Sequence, residues 1–281
     1  MKNLTIFNAY MAAKKELKSV GIETFGFEAR EIIKHVTGYD NATIMAKYSE
    51  TLTPLQQTMF NDVLRRRKER YPLQYLLGEW SFYGLPFYVG QGVLVPRADT
   101  ETLVDFALEK LGDKEAQVLD LCSGSGCIAI AVAKNSNAEV SAVEKYDVPF
   151  SYLEKNIKRN RANVTAIKSD LFSYAPNTKF DLILSNPPYI SADEMALIDE
   201  ETSHEPDEAL YGGEDGLMFY RYIASEYKKH IKTGGTLAFE VGFSQSAAVQ
   251  EILRVTGYKN IGTRKDINSH ERVVFGTVEA I

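Results

Sequence analysis

From about residue 100 onward, short apolar stretches alternate with helix-length segments, and this alternation most limits what the chain can fold into. Segments such as Thr100–Leu111 and Ser244–Val255 separate most of the apolar stretches. Such alternation is typical of a doubly wound α/β fold with a mostly parallel sheet. The last two stretches have no helix between them and predict an antiparallel hairpin at one edge. The seven predicted strands are Gln117–Leu121, Glu139–Val143, Asn163–Lys168, Phe180–Ser185, Thr236–Val241, Lys259–Thr263 and Arg272–Thr277.

The residues before this region follow helical patterns. Apolar residues recur at helical spacing over Asn3–Lys18 and Phe25–Val36. A third helix is predicted to begin at Thr53-Pro54, because Thr caps a helix and Pro suits its first position. Aromatic residues from Trp80 to Val89, interrupted by Gly and Pro, predict a β-hairpin. The chain is therefore expected to hold a helical domain over 1–73 that binds a partner or positions a substrate, a linker with a hairpin over 74–98, and an α/β domain over 99–281.

The composition excludes several classes of protein. The 281 residues are 44% hydrophobic and 25% charged, and no apolar run approaches the roughly 20 residues that a membrane-spanning helix needs. A net charge of −6 disfavours a broad nucleic-acid-binding surface. The basic run Arg65-Arg66-Arg67-Lys68 is expected to be the solvated face of a helix. Two cysteines flanking a glycine loop and four scattered histidines give no metal-binding pattern. We expect a cytoplasmic monomer that binds no metal and no nucleic acid directly.

A strand, a glycine loop and a helix follow one another in Val118–Ala129. Gly124 and Gly126 allow a tight turn and the close approach of a ligand. Glu144 ends the next predicted strand, where a carboxylate can bind ribose hydroxyls. Asp170 ends the third strand and is expected to meet an adenine amino group. These features together predict a nucleotide-like cofactor.

Two cofactors fit this loop. The spacing Gly124-x-Gly126-x-x-Ala129 matches the relaxed dinucleotide fingerprint, so an NAD-dependent oxidoreductase is an alternative. The loop, however, lies more than a hundred residues into the chain. Asp120 also precedes it in the pattern Asp-x-x-x-Gly-x-Gly, which is typical of S-adenosylmethionine sites. We therefore favour S-adenosylmethionine.

The apolar run Phe180–Ser185 ends in the turn Asn186-Pro187-Pro188-Tyr189. The turn suits the binding of a planar –NH₂ group, because the Asn side-chain oxygen accepts one hydrogen and the prolines offer only carbonyl acceptors. The Tyr ring can stack on a flat group. The alternative is a plain strand-terminating turn. The first and fourth strands of such a sheet are commonly neighbours, so Gly124 and Asn186 are expected to face one crevice.

The turn is similar to the signature of S-adenosylmethionine-dependent amino methyltransferases, which act on adenine, guanine or glutamine. With further segments, the chain resembles the HemK/PrmC family of protein-(glutamine-N5) methyltransferases, which act on peptide chain release factors. The resemblance covers nearly the whole chain, including its helical N-terminal part. The segments that carry it are Pro72–Gly78, Phe82–Gly84, Val93–Glu101, Asp120–Gly126, Glu205-Pro206, Gly212–Leu217, Glu240–Gln245 and Arg272–Gly276.

The resemblance implies a Rossmann-like methyltransferase domain with S-adenosylmethionine as cofactor. Its partners would be release factors 1 and 2, methylated on the glutamine of the Gly-Gly-Gln motif. The Asn186 side-chain oxygen and the Pro187 carbonyl would accept the glutamine amide hydrogens. Catalysis would rest on Asn186, Pro187 and Tyr189, with Pro188 also binding the substrate. The implied cofactor-binding residues are Cys122, Ser123, Gly124, Ser125, Gly126, Glu144, Asp170, Leu171 and Asn186.

The chain departs from the family pattern at four places. Ala98 replaces a second proline, Cys122-Ser123 replaces the commoner Gly-Thr, and Glu144 replaces Asp. Leu171 stands where an aromatic residue is often found. Three alternatives stay open: a nucleic-acid amino methyltransferase, a ribosomal-protein glutamine methyltransferase, whose N-terminal region would differ, and a binding module without activity.

Three charged residues precede the α/β domain, and a long segment follows the Asn-Pro-Pro-Tyr turn. Arg97, Asp99 and Glu101 fit either the mouth of the active site or a salt-bridged hinge with a helix cap. The segment 191–215 is expected to be a lid, because long loops in compact domains usually have a function.

Overall fold

The computed structural model describes residues 4–279 and divides them into two compact units. The first unit runs to Gly78 and includes Glu200–His204 from much later in the chain. The second holds Glu79–Asp199 and the residues from Glu205 onward. Asn3, the predicted first residue of the first helix, lies outside the described residues, as do the last two residues of the predicted α/β domain.

The first unit is helical. The Thr5 hydroxyl accepts the Asn8 N–H at 3.2 Å and caps the first helix. Thr53 and Gln56 form a reciprocal capping box at the fourth helix, as the Thr-Pro pair indicates. No helix within residues 4–279 is both long and apolar enough to cross a membrane. The helices are α1 (Ile6–Ser19), α2 (Phe25–Thr37), α3 (Asn41–Ala46), α4 (Pro54–Lys68) and α5 (Leu73–Leu77), and a 3₁₀ turn at Thr202–His204 belongs to the same unit.

The basic run of α4 is only partly a solvated face. Arg65 is exposed and pairs with acidic residues three and four positions away. Arg67 is buried, and its guanidinium donates to both Glu28 carboxylate oxygens at 2.6 and 3.0 Å and pairs with Glu201 at 2.8 Å. The prediction of a solvated run is wrong for Arg67. This residue follows the buried Val63 by four positions and therefore lies on the apolar face of the helix.

The second unit begins with a hairpin and continues as alternating strands and helices. Its hairpin strands, β1 (Glu79–Phe82) and β2 (Leu85–Tyr88), coincide with the predicted aromatic segment, with β1 beginning one residue earlier. The strands of the main sheet are β3 (Gln117–Leu121), β4 (Glu139–Glu144), β5 (Val164–Lys168), β6 (Phe180–Ser185), β7 (Ile231–Glu240), β8 (Lys259–Lys265) and β9 (Glu271–Thr277). The helices are α6 (Glu101–Leu111), α7 (Cys127–Asn135), α8 (Asp147–Asn160), α9 (Ala192–Met195), α10 (Asp207–Leu210), α11 (Met218–Glu226) and α12 (Ser246–Val255), with 3₁₀ turns at Ala98–Thr100 and Lys228–His230.

The seven strands form one sheet in the order β5-β4-β3-β6-β7-β9-β8. The strands from β5 to β7 pair in parallel, whereas β9 is antiparallel to both β7 and β8. This confirms the predicted fold class, including the antiparallel hairpin at one edge. One apolar core, which includes α6 and α7, and a second, which includes α11 and α12, cover the faces of the sheet. The first and fourth strands of the domain, β3 and β6, are neighbours as predicted, so the segments that follow them leave the sheet side by side.

Candidate active site

A cavity of about 400 Å³ lies at the carboxyl ends of β3, β4 and β6. This is where ligands bind in open α/β sheets. The cavity brings the glycine loop and the Asn-Pro-Pro-Tyr turn together across more than sixty residues of sequence. Gly126, Pro187 and Tyr189 are not among its lining residues. The predicted site residues that do line it are Cys122, Ser123, Gly124, Ser125, Glu144, Asp170, Leu171, Asn186 and Pro188.

The two glycines of the loop have different surroundings. A Cβ placed on Gly124 would meet no atom within 4 Å, so the backbone is open to a ligand there. A Cβ on Gly126 would lie 2.4 Å from Leu153 Cδ1. Gly126 therefore allows α8 to pack closely against the loop and does not itself face the cavity. Cys122 has φ 61°, a left-handed conformation that favours glycine.

Glu144 is buried, and both of its carboxylate oxygens bind backbone. Oε2 accepts the Gly124 N–H at 2.9 Å, and Oε1 accepts the Tyr146 N–H at 2.8 Å. Burial raises the pKa of Glu144, and the Tyr146 and Gly124 N–H groups oppose that effect. Each carboxylate oxygen can accept a further hydrogen bond, so the residue can still receive ribose hydroxyls.

Asp170 lies beside a cation that the sequence did not indicate. Its Oδ2 pairs with Lys145 Nζ at 2.9 Å, and its Oδ1 accepts the Phe172 N–H at 3.0 Å. Partial burial acts to raise the pKa of Asp170, but the Phe172 N–H and the Lys145 ammonium hold it below the ordinary value. Phe172 lines the cavity next to Leu171, with Phe219 5.5 Å away between ring centroids. These rings offer an aromatic surface although Leu171 itself is aliphatic.

The Asn-Pro-Pro-Tyr turn presents Asn186 and Pro188 to the cavity. Asn186 Nδ2 lies 3.4 Å from the Thr100 hydroxyl oxygen, as donor to it. Tyr189 is half-buried and packs against the core on the α11 and α12 side. Burial, together with the negative charge of Glu240, raises the pKa of Tyr189 to about 12, so its hydroxyl stays protonated at neutral pH.

The backbone of the turn is held by a glutamine of the segment that follows β7. Gln245 Nε2 donates to the Tyr189 carbonyl at 2.8 Å and to the Gly216 carbonyl at 3.3 Å. Its Oε1 accepts the Gly242 N–H at 3.1 Å. A Cβ on Gly212 would lie 2.7 Å from Tyr189 Cα. The turn is therefore enclosed by a close contact at Gly212 and by the side-chain amide of Gln245.

A second wall of the cavity comes from the segment before α6 and from α10. Leu94, Val95, Pro96 and Arg97 line one side, and Glu208 lies among residues on the other. Glu205 joins the two sides, because its buried carboxylate accepts the Val95 N–H at 2.9 Å and binds the Arg97 guanidinium.

The three charged residues before the domain have separate partners. Arg97 is at the cavity mouth, where it pairs with Glu205. Asp99 pairs with Arg272 at 3.0 Å, and the Glu101 carboxylate accepts the Tyr83 N–H at 2.7 Å. Thus Arg97 lines the cavity, Asp99 makes a salt bridge, and Glu101 makes a hydrogen bond to the backbone of the hairpin.

Two buried carboxylates lie beneath the site without lining it. Burial raises the pKa of Asp120 to about 7, although the Ser123 hydroxyl and the Ala129 N–H lie close enough to oppose it. Neither carboxylate oxygen of Asp120 has a hydrogen bond of normal geometry with the described residues. Burial likewise raises the pKa of Glu240 to about 7 against the Thr100 hydroxyl and the Arg272 guanidinium. No cluster of His, Cys, Asp and Glu suited to a metal ion occurs within residues 4–279.

Comparison with known proteins bears on the identity of this site. Residues 8–78 match the PrmC N-terminal domain, and residues 98–211 match the methyltransferase small domain. A release factor glutamine methyltransferase of Clostridium botulinum is 36% identical, over 92% of this chain and 94% of its own length. The chain belongs to the release factor glutamine methyltransferase family. The resemblance drawn from the sequence is thereby confirmed.

A second relative and a solved structure agree with this family. A release factor glutamine methyltransferase of Geobacter sulfurreducens is 38% identical, and the match covers 93% of each chain. The crystal structure of a methyltransferase from Pyrococcus furiosus superposes with a TM-score of 0.56 at 19% identity. It covers 80% of this chain and 98% of the other, and it supports the fold.

The family motifs did not indicate several residues of the cavity. Lys145, Phe172 and Phe219 line it without belonging to any of the motifs. Phe172 could have been found from its place directly after Leu171. Lys145 likewise follows Glu144 directly, whereas Phe219 carries no such signal, since its place depends on how distant segments pack.

Proposed function

We propose that the chain transfers the methyl group of S-adenosylmethionine to the side-chain amide nitrogen, N5, of the glutamine in the Gly-Gly-Gln motif of peptide chain release factors. The observation that carries this proposal is the shared cavity. Asn186 of the acceptor turn lines the same cavity as Gly124 of the glycine loop. Membership of the release factor glutamine methyltransferase family supplies the substrate class.

One assay tests the proposal against its rivals. Labelled S-adenosylmethionine is offered with a release factor, with its Gln-to-Ala variant, and with DNA or ribosomal RNA. We expect label in the release factor only, and none in the variant. Label in nucleic acid would indicate an amino methyltransferase of another class, and no label in any arm would indicate a binding module.

The cavity fits S-adenosylmethionine by its chemistry. The open backbone at Gly124 permits close approach, and Glu144 and Asp170 offer carboxylate oxygens for hydroxyl and amino groups. Leu171 and Phe172 offer an apolar and an aromatic surface. The residues proposed to hold the cofactor are therefore Cys122, Ser123, Gly124, Ser125, Glu144, Asp170, Leu171 and Asn186. Gly126 supports the loop from behind.

When bound, S-adenosylmethionine supplies an electrophilic methyl group. The chain has to hold a weakly nucleophilic amide so that its nitrogen faces that group. Asn186 presents a side-chain oxygen to one amide hydrogen, and the Pro187 carbonyl accepts the other. Pro188 lines the cavity with Asn186, and the Tyr189 carbonyl at the end of the turn is held by the Gln245 amide. The contribution of these residues is positioning, which is worth roughly 7–11 kcal/mol for well-oriented groups.

The Asn186 side chain is the centre of this mechanism. Replacing it with alanine removes the acceptor, so we expect turnover to fall by at least about a hundredfold while S-adenosylmethionine still binds. Radiolabel transfer measures the first effect and calorimetric titration the second. Near-normal turnover in the N186A variant would contradict the role of Asn186.

We propose further that the first unit recognises the release factor. We also propose that the protein is a monomer in the cytoplasm and makes no direct contact with nucleic acid. The match of residues 8–78 to the PrmC N-terminal domain supports the recognition role. The proposed boundaries stay at residues 73 and 98, with the compact first unit reaching Gly78. Size-exclusion chromatography with light scattering tests the monomer, and a nucleic-acid binding assay tests the absence of contact.

A further inference from the structure

The proposed chemistry requires one of two orientations of the Asn186 side chain. Rotation by 180° about its last bond exchanges the carbonyl oxygen and the amide nitrogen. An –NH₂ substrate can be bound only if the oxygen faces the cavity, because two NH₂ groups facing each other have no acceptor between them. A device that favours one orientation would therefore promote the reaction.

Thr100 is placed to do this. It lines the cavity at the start of α6 and is almost fully buried, with 2% of its surface exposed. Its hydroxyl oxygen lies 3.4 Å from Asn186 Nδ2. A hydroxyl can donate one hydrogen and can accept through its lone pairs. Whether Thr100 donates to Asn186 or accepts from it therefore depends on which group receives the hydroxyl hydrogen.

Glu240 is the nearby acceptor to which that hydrogen can go. It is the last residue of β7 and follows Phe239, which pairs with Ser185, the residue before Asn186. Its carboxylate is buried, and the Thr100 hydroxyl is among the groups that favour its charged form. Its Oε2 has no hydrogen-bond partner among residues 4–279, so the carboxylate is short of donors. The Arg272 guanidinium also favours its charge, and Asp99 opposes it.

We infer that Thr100 and Glu240 are positioning residues that fix the orientation of the Asn186 amide. Thr100 donates its one hydrogen to Glu240 and can then only accept from Asn186 Nδ2. That contact turns the Asn186 oxygen toward the cavity and the acceptor amide. The inference rests on the proposed function for the identity of that amide, but the orientation itself is a property of the chain.

The kinetic test compares two replacements at Thr100. Thr100→Val keeps the shape and removes the hydroxyl, so we expect kcat for release-factor methylation to fall about tenfold. KM for the release factor and Kd for S-adenosylmethionine should change less than about twofold, because neither depends on this contact. Thr100→Ser keeps the hydroxyl and should restore kcat. Thr102→Val, at a buried threonine in the first turn of α6 that does not line the cavity, is the matched control and should leave kcat unchanged.

The role of Glu240 is tested by a double-mutant cycle. Glu240→Gln should lower kcat, because the amide can donate to Thr100 and reverse the hydrogen bond. Adding Thr100→Val to it should cause little further loss, since both changes break the same relay. Additive effects of the two changes on kcat, or a fully active E240Q variant, would contradict the proposed role of Glu240.

A measurement without substrate separates this inference from the proposed function. In ¹⁵N-labelled protein, the Asn186 side-chain amide protons, assigned through N186D, should exchange with water about tenfold faster in the T100V variant than in wild type or T100S. If this occurs and no release factor is methylated, the proposed function fails and the inference stands. Unchanged exchange and kcat in a folded T100V variant would overturn the inference alone. If T100V does not fold, Thr100→Cys, a much weaker donor, replaces it in both measurements, with the same expected losses.

Discussion

Cys122 shows how one residue of the cofactor loop departs from what its backbone favours. Its φ of 61° lies in the left-handed region, where a side chain costs roughly 1–2 kcal/mol relative to the right-handed form. Ser123 and Gly124 follow it directly along the cavity wall. The glycine that the family usually has at this position is explained by that conformation. Here the chain carries the strain and gains a half-buried thiol whose pKa is raised by burial.

The first prediction concerns this strain. Cys122→Gly should fold at least as stably as wild type, whereas Cys122→Val should be less stable than the Gly variant by about 2 kcal/mol, because a β-branched residue tolerates positive φ poorly. Urea denaturation measures the difference. Cys127, in the first turn of α7, is the matched control, and its Gly and Val variants should show the opposite order. Equal stabilities of C122G and C122V would contradict the strain.

The second prediction concerns the buried carboxylate of Asp120. Its folded pKa of about 7 exceeds the ordinary value of 3.8, so the folded protein binds the proton more tightly than the unfolded chain. The contribution of Asp120 to the free energy of unfolding should therefore fall as pH rises from about 4 to about 7 and then level off. Asp120→Asn does not titrate, so its stability relative to wild type should be greater at about pH 8 than at about pH 5. Denaturation at both pH values measures this, and an equal difference at the two would contradict it.

At the scale of elements, the acceptor turn depends on neighbours that approach its backbone. A Cβ on Gly216 would lie 2.3 Å from the Tyr189 carbonyl oxygen and 2.7 Å from Gln245 Nε2. The oxygen belongs to the backbone and cannot move without moving the turn. Gly216 and Gln245, which directly precedes α12, thus both contact the turn that holds Asn186.

The third prediction compares two glycines with similar backbones. Gly216 and Gly234 have φ of 72° and 82°, but a Cβ on Gly234 would meet nothing within 4 Å. Gly234→Ala should lose only about 1–2 kcal/mol of stability and keep its kcat. Gly216→Ala should in addition lower kcat about tenfold or more, because the turn is displaced by a fraction of an ångström. Methyl-transfer kinetics on both variants measure this, and equal kcat values would contradict the contact.

How far the sequence predicts these elements depends on their length and burial. The strands β3 and β6 match their predicted bounds, because each is a short, mostly apolar run that is largely buried. The helices α9 and α10 were not foreseen, since four residues are too few to show a period. The strand β7 begins at Ile231 and not at the predicted Thr236, because Ile231 pairs with Phe180 beyond an irregularity in the ladder. The pattern of apolar residues does not indicate this extension. In the site, motif residues could be predicted, whereas Glu208 and Phe219 line the cavity only through packing.

At the scale of the whole molecule, sequence order and compact units do not coincide. The five residues Glu200–His204 belong to the first unit, although the residues on either side belong to the second. Within that unit, Glu201 pairs with Arg67, from which it is more than 130 residues distant in sequence. No local pattern in the sequence predicts such a pair. The sequence therefore could not show that part of the segment 191–215 belongs to the first unit. The role of that segment as a lid stays a prediction.

The fourth prediction concerns the two carboxylates that bind Arg67. The Glu28 side chain is 7% exposed and that of Glu201 is 34% exposed. Glu28→Gln leaves a buried guanidinium poorly neutralised and should cost about 3 kcal/mol of stability. Glu201→Gln removes a more hydrated partner and should cost less than about 1 kcal/mol. Thermal unfolding followed by circular dichroism measures both, and similar losses for the two variants would contradict this assignment.

The position of β9 in the sheet has a consequence for folding. Because β9 lies between β7 and β8, it is the only strand of the described sheet with which β8 pairs. Removal of its seven residues would therefore leave β8 without a partner strand and expose one edge of β7. The short connection from Lys265 to Glu271 lets the two strands form a local hairpin before they join the sheet. The edge of the sheet is thus expected to assemble as one unit, with β9 docking and β8 carried along with it.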